Sequence, residues 1–180
     1  MMTNSKSKKE DVQLYPYVGS QEIFDSVDFN FVGYKISKSE DILNWIEKTA
    51  QELTNDGVIA TFIINENHEL VINDRHSEHV LCAGGKNVIS AGEISFLIDK
   101  KDKISINEIS NQSTGYCPKP ESWKYVNEVL SKLGIEYPNY FTLAFDFRLC
   151  TNCQTINLIK EQIFECQVCE NELDSEWNFD

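Results

Sequence analysis

The arrangement of cysteines near the C-terminus restricts the fold of this chain more than any other feature. Cys150 and Cys153 are separated by two residues, Cys166 and Cys169 have the same spacing, and 12 residues lie between the pairs. Two residues between cysteines allow one tight turn to direct both sulfur atoms at a single point. Two such turns together provide four thiolates, which is the ligand set of a tetrahedral structural metal site.

The segment between the two pairs supports a metal site. Apolar residues lie on both sides of the polar "KEQ" at 160–162, so a short hairpin would fold the second pair onto the first. The pattern resembles a zinc ribbon, and this resemblance implies one zinc ion held by four cysteines. A single iron ion and unligated thiols are the alternatives.

The closed ligand set predicts the role of the ion. Four thiolates leave no open coordination position, so we expect the zinc to be structural and its binding to be coupled to folding. Gln154 and Glu170 follow the second cysteine of each pair, where ribbons often carry glycine, so the turns are expected to differ in geometry. Trp177 and Phe179 are apolar side chains that could pack back on the rest of the protein.

The charge of the chain argues against nucleic acid as a partner. The 180 residues include 16 Lys and Arg against 29 Asp and Glu, which gives a formal net charge of −13. A surface this negative repels phosphate backbones, because nucleic-acid binding depends on cations that displace counterions. We expect a protein partner or a small polar ligand instead, and no nucleic acid.

Hydrophobic content and cysteine use indicate in which cellular compartment the protein is expected. The longest apolar run, around residues 58–64, is far shorter than the roughly 20 residues of a membrane span, so no membrane partner is expected. The N-terminal "MMTNSKSKKEDVQ" is polar, so we expect that it is not a signal peptide. We therefore expect a cytoplasmic protein whose six cysteines stay reduced.

Hydrophobic periodicity predicts an α+β fold, in which a mostly antiparallel sheet carries two packed helices. The predicted strands cover 29–36 and 141–147, two hairpins cover 58–74 and 88–110, and two helices cover 37–57 and 120–133. The first helix is expected to begin with a capping box of Ser37 and Glu40, or with Ser39 as the cap.

The sequence predicts three parts of the chain. Residues 1–13 are expected to form a disordered N-terminal tail. Residues 14–148 form the α+β domain, and residues 149–180 form the zinc ribbon and the C-terminal tail. The composition changes at the second of these boundaries, where the cysteine pattern begins.

Two further segments contain side chains that could take part in catalysis. These segments are "RHSEHVLCAGG" at 75–85 and "NQSTGYC" at 111–117. If the fold brings them together, Cys117 could be a nucleophile with His76 or His79 as its base. Asn111 or Ser113 would then orient the imidazole. The alternatives are hydrogen-bonded or exposed histidines and a loop whose polar residues bond its own backbone.

The neighbouring residues allow simpler interpretations. A second metal site would need Glu93 or another third ligand, and nothing in the spacing requires one. Cys82 is expected to be a small buried side chain, and Gly84 and Gly85 a turn. Gly92 lies within an apparent strand, where glycine indicates a bulge or a close backbone approach.

These segments also resemble known groups of proteins. The residues that carry the resemblance are His76, Ser77, Gly84, Gly85, Ala91, Gly92, Asn111, Ser113, Tyr116 and Pro118. They are similar to a set of uncharacterised bacterial proteins that also end in a zinc ribbon, and more distantly to plant calmodulin-binding IQ-motif proteins. The chain departs from the plant pattern at Gly115, because the plant pattern has histidine at this place, directly before the tyrosine.

The sequence thus favours a binding or adaptor module with a structural zinc ion. The alternative is an enzyme, a hydrolase or transferase, with a polar site between residues 76–79 and 111–117. In that alternative, the resemblance and the residue chemistry together nominate His76, Ser113, Tyr116 and Cys117 as catalytic residues. The ligands of the metal are Cys150, Cys153, Cys166 and Cys169 in both cases.

Overall fold

The fold was analysed in a computed structural model that describes residues 11–55 and 57–179. Residues 1–10 of the predicted disordered tail lie outside the described residues. Residues 11–13 form neither helix nor strand. Among the described residues, no helix is long and apolar enough to cross a membrane.

An antiparallel sheet of five strands forms the centre of the fold, in the order β1-β3-β2-β4-β5. Its strands are β1 (Tyr34–Ile36), β2 (Val58–Asn65), β3 (Leu70–Asp74), β4 (Val88–Ile98) and β5 (Ile104–Ile109). The helices are α1 (Gln21–Ser26), α2 (Ser39–Lys48), α3 (His79–Cys82) and α4 (Trp123–Leu130), and a separate hairpin pairs β6 (Asp146–Leu149) with β7 (Ile156–Ile159). The α+β class and both predicted hairpins of the sheet are confirmed.

The sheet is covered on both faces. On one face, α2 and α4 contribute Trp45 and Leu130 to a core that also contains Phe62. On the other face, Ile63 packs in a second cluster with Val80 of α3. Because β2 is buried on both sides, it is apolar at nearly every position instead of alternating.

Helix α2 is shorter than the sequence predicts. It ends at Lys48, where the Thr49 hydroxyl donates to the Trp45 carbonyl and Ala50 adopts a left-handed φ of 50°. Gly57, predicted as the end of the helix, instead closes a turn with Thr54. The predicted extension to residue 57 was wrong, because a side-chain bond and a backbone reversal stop the helix two residues after its last buried residue, Ile46.

The start of α2 also differs from the prediction. The carboxylate of Asp41 accepts the backbone N–H groups of Ser37 at 2.8 Å and Lys38 at 3.1 Å. Lys38 is the N-cap, and the Ser39 hydroxyl bonds Glu40 instead of the helix backbone. The acidic member of the cap is therefore one residue further along than expected.

Two predicted strands are also revised. Within residues 29–36 only the last three pair in the sheet, and Phe31 and Val32 are exposed. Within residues 141–147, regular pairing begins at Asp146 and is made with β7. The Phe145 N–H bonds the Asn111 side chain at 2.7 Å, and the Thr142 N–H donates to the Ile109 carbonyl at 2.9 Å, so an amide and the end of β5 hold this segment instead of regular pairing.

Gly92 is a point of close backbone approach, as predicted. A Cβ at this position would overlap the Ser110 carbonyl oxygen and lie 2.7 Å from its carbonyl carbon. The Ser110 N–H donates to the Glu93 carbonyl at 2.9 Å, which draws the end of β5 against β4. Only glycine allows this contact.

We predict that Gly92→Ala lowers the free energy of unfolding by about 3 kcal/mol, because the backbone of β4 must move away from Ser110. Gly134→Ala is the matched control, since Gly134 has a φ of +68° but open space around it. It should cost only about 1 kcal/mol of backbone strain. Urea unfolding measures both, and equal losses would contradict the predicted overlap.

Candidate metal centre

The four predicted cysteine ligands converge. All four Sγ atoms lie within 4.8 Å of one another. The Sγ atoms of Cys150 and Cys169 are 3.6 Å apart, as are those of Cys153 and Cys166. Each close pair joins one cysteine of the first turn to one of the second, so the turns face each other. No disulfide joins them, and the four sulfurs can hold one metal ion.

The β6–β7 hairpin builds the first cysteine turn. Cys150 follows β6 directly, and its N–H donates to the Thr155 carbonyl at 2.9 Å, just before β7 begins. The Gln154 N–H donates back to the Cys150 carbonyl at 2.8 Å. These two bonds close the loop between the strands and direct both of its sulfurs to one side.

The second cysteine turn repeats this geometry without a regular hairpin. The Cys166 N–H donates to the Asn171 carbonyl at 2.8 Å, and the Glu170 N–H donates to the Cys166 carbonyl at 2.9 Å. Glu170 has a φ of 59° and Gln154, its counterpart, a φ of 63°. Both turns thus adopt the left-handed conformation that glycine favours, with longer side chains in place.

Asn157 connects the two turns. Its side-chain amide donates to the Thr155 carbonyl at 3.0 Å and lies 3.6 Å from the Cys166 sulfur, while its Oδ1 accepts the Gln167 N–H at 3.0 Å. The residue is buried in β7, between apolar neighbours. It therefore fixes the position of the second turn relative to the first.

Hydrogen bonds to sulfur favour the ionised form of the second pair. The N–H groups of Cys169 and Val168 lower the pKa of Cys166 to about 6. The side-chain amide of Asn152, 3.5 Å from the Cys169 sulfur, lowers the pKa of that thiol. Because metals bind thiolates, these donors prepare the site for an ion.

A buried arginine ties the C-terminal segment to this hairpin. Arg148 of β6 donates to the carbonyls of Asp174 at 3.1 Å and Ser175 at 2.6 Å, and a third bond reaches the Phe147 carbonyl. Its guanidinium carbon lies 5.6 Å from the centre of the Phe164 ring. The charge of Arg148 is therefore used to hold the chain that follows the last cysteine.

The last residues of the chain pack on the α+β domain. Asn178 exchanges two hydrogen bonds with the Leu149 backbone, each of 2.8 Å. The Trp177 indole N–H donates to the Cys117 carbonyl at 2.8 Å, and Phe179 is buried with Phe147 and Cys117. The expected packing of Trp177 and Phe179 is confirmed, and it joins the metal centre to the centre of the protein.

The two histidines of the "RHSEHVLCAGG" segment have separate environments. His76 is exposed, and its Nδ1 lies 3.0 Å from Asp74 Oδ1. His79 donates from Nε2 to the Gly92 carbonyl at 2.9 Å, and burial lowers the pKa of its ring. Neither ring has a hydrogen bond to the Cys117 sulfur in the part of the chain that the structure describes. The Cys–His pair of the enzymatic alternative therefore has no geometric support in these residues.

The nominated residues of the 111–117 segment serve the packing of the loop. Asn111 is buried and bonds the backbones of Pro118 and Phe145, and the Tyr116 hydroxyl donates to the Lys86 carbonyl at 2.8 Å. The Cys117 thiol bonds the Thr114 carbonyl at 3.6 Å, and burial raises its pKa. A neutral, enclosed thiol is a poor nucleophile.

Ser113 is an exception within this segment. The residue is 1% exposed, and its hydroxyl has no hydrogen-bond partner among the described residues. Among the described residues, no hydrogen bond joins Ser113 to a histidine. Its catalytic role stays a prediction without geometric support.

The remaining expectations for this region hold. Cys82 is buried, with its sulfur 3.4 Å from the Val71 carbonyl, and burial raises its pKa. Gly84 and Gly85 form the turn after α3, both with positive φ. Within residues 11–55 and 57–179, the four cysteines are the only group of three or more potential ligands close enough for an ion.

Sequence reasoning missed Arg148 and Asn157, the two side chains that organise the centre. Both had a visible signal, since each is a polar residue within a short apolar run, in "DFRL" and "INLI". Comparisons of the chain with protein-family models, curated proteins and solved structures gave no match.

We predict that Asn157→Ala lowers metal affinity by about 10- to 100-fold, because the two turns lose their connection. Competition with a coloured chelator measures the affinity. Asn171→Ala is the matched control beside the second cysteine turn, since the exposed Asn171 side chain bonds only the Glu172 carbonyl among the described residues. Unchanged affinity in Asn157→Ala would show that the turns hold their positions without it.

We also predict that Gln154→Gly and Glu170→Gly each stabilise the metal-loaded centre by about 1 kcal/mol, because glycine removes the left-handed strain. Gln167→Gly is the control, since Gln167 is not left-handed, and it should destabilise by about 0.5 kcal/mol. Hydrogen exchange at the Cys166 N–H reports the local stability. Destabilisation by all three substitutions would contradict the strain argument.

Proposed function

We propose that this chain is a zinc protein in which one structural ion supports a binding or adaptor module for a protein partner or a small polar ligand. The observation that carries the proposal is the convergence of four thiols within 4.8 Å, from two turns that share one geometry.

The geometry of the sulfurs supports zinc. Zn–S bonds of about 2.3 Å in a tetrahedron place the sulfurs roughly 3.8 Å apart. The two close pairs of sulfurs, at 3.6 Å, are near this value. Soft thiolate ligands in a tetrahedral set favour zinc or iron over the harder divalent ions. Zinc is the more common occupant of an isolated site of four cysteines, and a metal analysis distinguishes it from a single iron.

A structural role follows from the closed coordination. Four protein ligands leave no position for water or substrate, so the ion polarises nothing. Its stabilising effect instead falls on a cluster with few apolar residues, in which Leu173 packs with the cysteines. Reduced thiols are required throughout, which is consistent with a reducing compartment such as the cytoplasm.

The surface chemistry favours binding over catalysis. From residue 141 to the end, Arg148 and Lys160 are the only basic residues against eight acidic ones, and Arg148 is turned inward to backbone carbonyls. An acidic surface of this kind suits a basic partner and repels nucleic acid. The enzymatic alternative would need a reactive Cys117, and the burial that raises the pKa of this thiol counts against it.

We predict one zinc ion per chain in protein purified without added metal, measured by inductively coupled plasma mass spectrometry. Cys166→Ser should lose the ion, and with it the hydrogen-exchange protection of residues 146–179, because binding and folding are coupled. Cys82→Ala, which removes a cysteine outside the centre, should keep the full stoichiometry. Iron in place of zinc, or full zinc content in Cys166→Ser, would refute the proposal.

A further inference from the structure

A groove lies where the metal-bearing hairpin meets the α+β domain. It encloses about 350 Å³ and is lined by parts of the loop before α4, of β6 and of the C-terminal segment. The side chains that give it chemical character are Lys119, Glu121, Asp146, Glu176 and Trp177. The groove is separate from the metal centre. The position of two of its three walls, β6 and the C-terminal segment, depends on the cysteine turns.

The groove has a net negative charge of one, because three carboxylates line it together with two basic side chains. Glu121, Asp146 and Glu176 are exposed, and none of them forms an ion pair with Lys or Arg within residues 11–55 and 57–179. Arg148 also lines the groove, but its donors are occupied by three backbone carbonyls. The side chain of Lys119 is the remaining cation at this position.

An aromatic ring in the groove already binds an ammonium group. The Nζ atom of Lys119 lies 4.9 Å from the centre of the Trp177 ring, which is a cation–π distance. The ring is fixed by its bond to the Cys117 carbonyl and by edge contact with Tyr15, at 5.6 Å between centres. The groove therefore has a rigid aromatic face and a rim of carboxylates.

We propose that this groove binds a lysine side chain in a basic segment of a partner protein. The incoming ammonium takes the place of Lys119 over Trp177, while Glu121, Asp146 and Glu176 attract the neighbouring basic residues. The inference rests on the proposed function, because the metal-supported hairpin and C-terminal segment supply Asp146, Glu176 and Trp177. It names the class of partner that the acidic surface selects.

The experiment is a titration of the intact protein with an acetylated, amidated peptide of four Gly-Lys repeats, followed at the Trp177 indole N–H by NMR. The variant Glu121→Gln/Asp146→Asn/Glu176→Gln should weaken binding by about tenfold, because it removes the rim charges. The control Glu22→Gln/Glu47→Gln/Glu66→Gln changes net charge equally on exposed residues outside the groove. Equal weakening in both variants would overturn the proposal.

A second variant tests the position over the ring. Lys119→Gln should tighten binding by about threefold, because it vacates the aromatic face. Lys132→Gln removes the same charge from an exposed position outside the groove. Equal tightening in the two variants would overturn the proposal, since it would reflect net charge alone. Spermidine binding with the affinity of the peptide would also overturn the assignment to a protein segment.

The two proposals fail in different ways. If chelation leaves residues 146–179 protected but the groove variants lose peptide binding, the structural role of zinc is wrong and the groove stands. If chelation unfolds these residues but the groove variants bind as the unmodified protein does, the groove is wrong and the zinc proposal stands. Unchanged zinc content and unchanged amide spectra outside the groove confirm that each variant is folded.

Discussion

The C-terminal part of this structure depends on the convergence of four sulfur atoms. Cys150 and Cys153 sit on a hairpin turn, whereas Cys166 and Cys169 sit on a turn without a regular strand on either side. Apolar burial around the second turn is small, with Leu173 as its largest buried contributor. A bound ion would replace the core that this element lacks, which is the usual basis of small metal-supported folds.

Three side chains hold the C-terminal segment to the hairpin and to the body of the protein. Arg148 fixes the segment after the last cysteine, Asn178 pairs with the β6 backbone, and Trp177 bonds the carbonyl of Cys117. Each contact joins residues far apart in sequence, so each depends on the hairpin being formed. The groove beside Trp177 is a product of the same contacts, which connects metal binding to the surface we assign to a partner.

The chemically suggestive residues outside the centre mostly serve the fold. His79 is bonded to a strand carbonyl, Tyr116 to the Lys86 carbonyl, and Cys117 is enclosed with Phe147 and Phe179. Burial disfavours the charged forms of these groups, so the same environment that makes them good packing elements makes them poor catalysts. Reactive residue types within a short segment are therefore weak evidence for a catalytic site here.

The sequence alone predicted the four cysteines that converge, both sheet hairpins and the α+β class, because cysteine spacing and runs of β-branched residues are local signals. Tertiary structure decided the rest. Helix α2 stops at Lys48 through a Thr49 side-chain bond, and the segment before β6 is held by the amide of Asn111, 34 residues away. The roles of Arg148 and Asn157 also depend on partners brought together only by folding, since a buried polar side chain is defined by its neighbours in space and not by its own position in the chain.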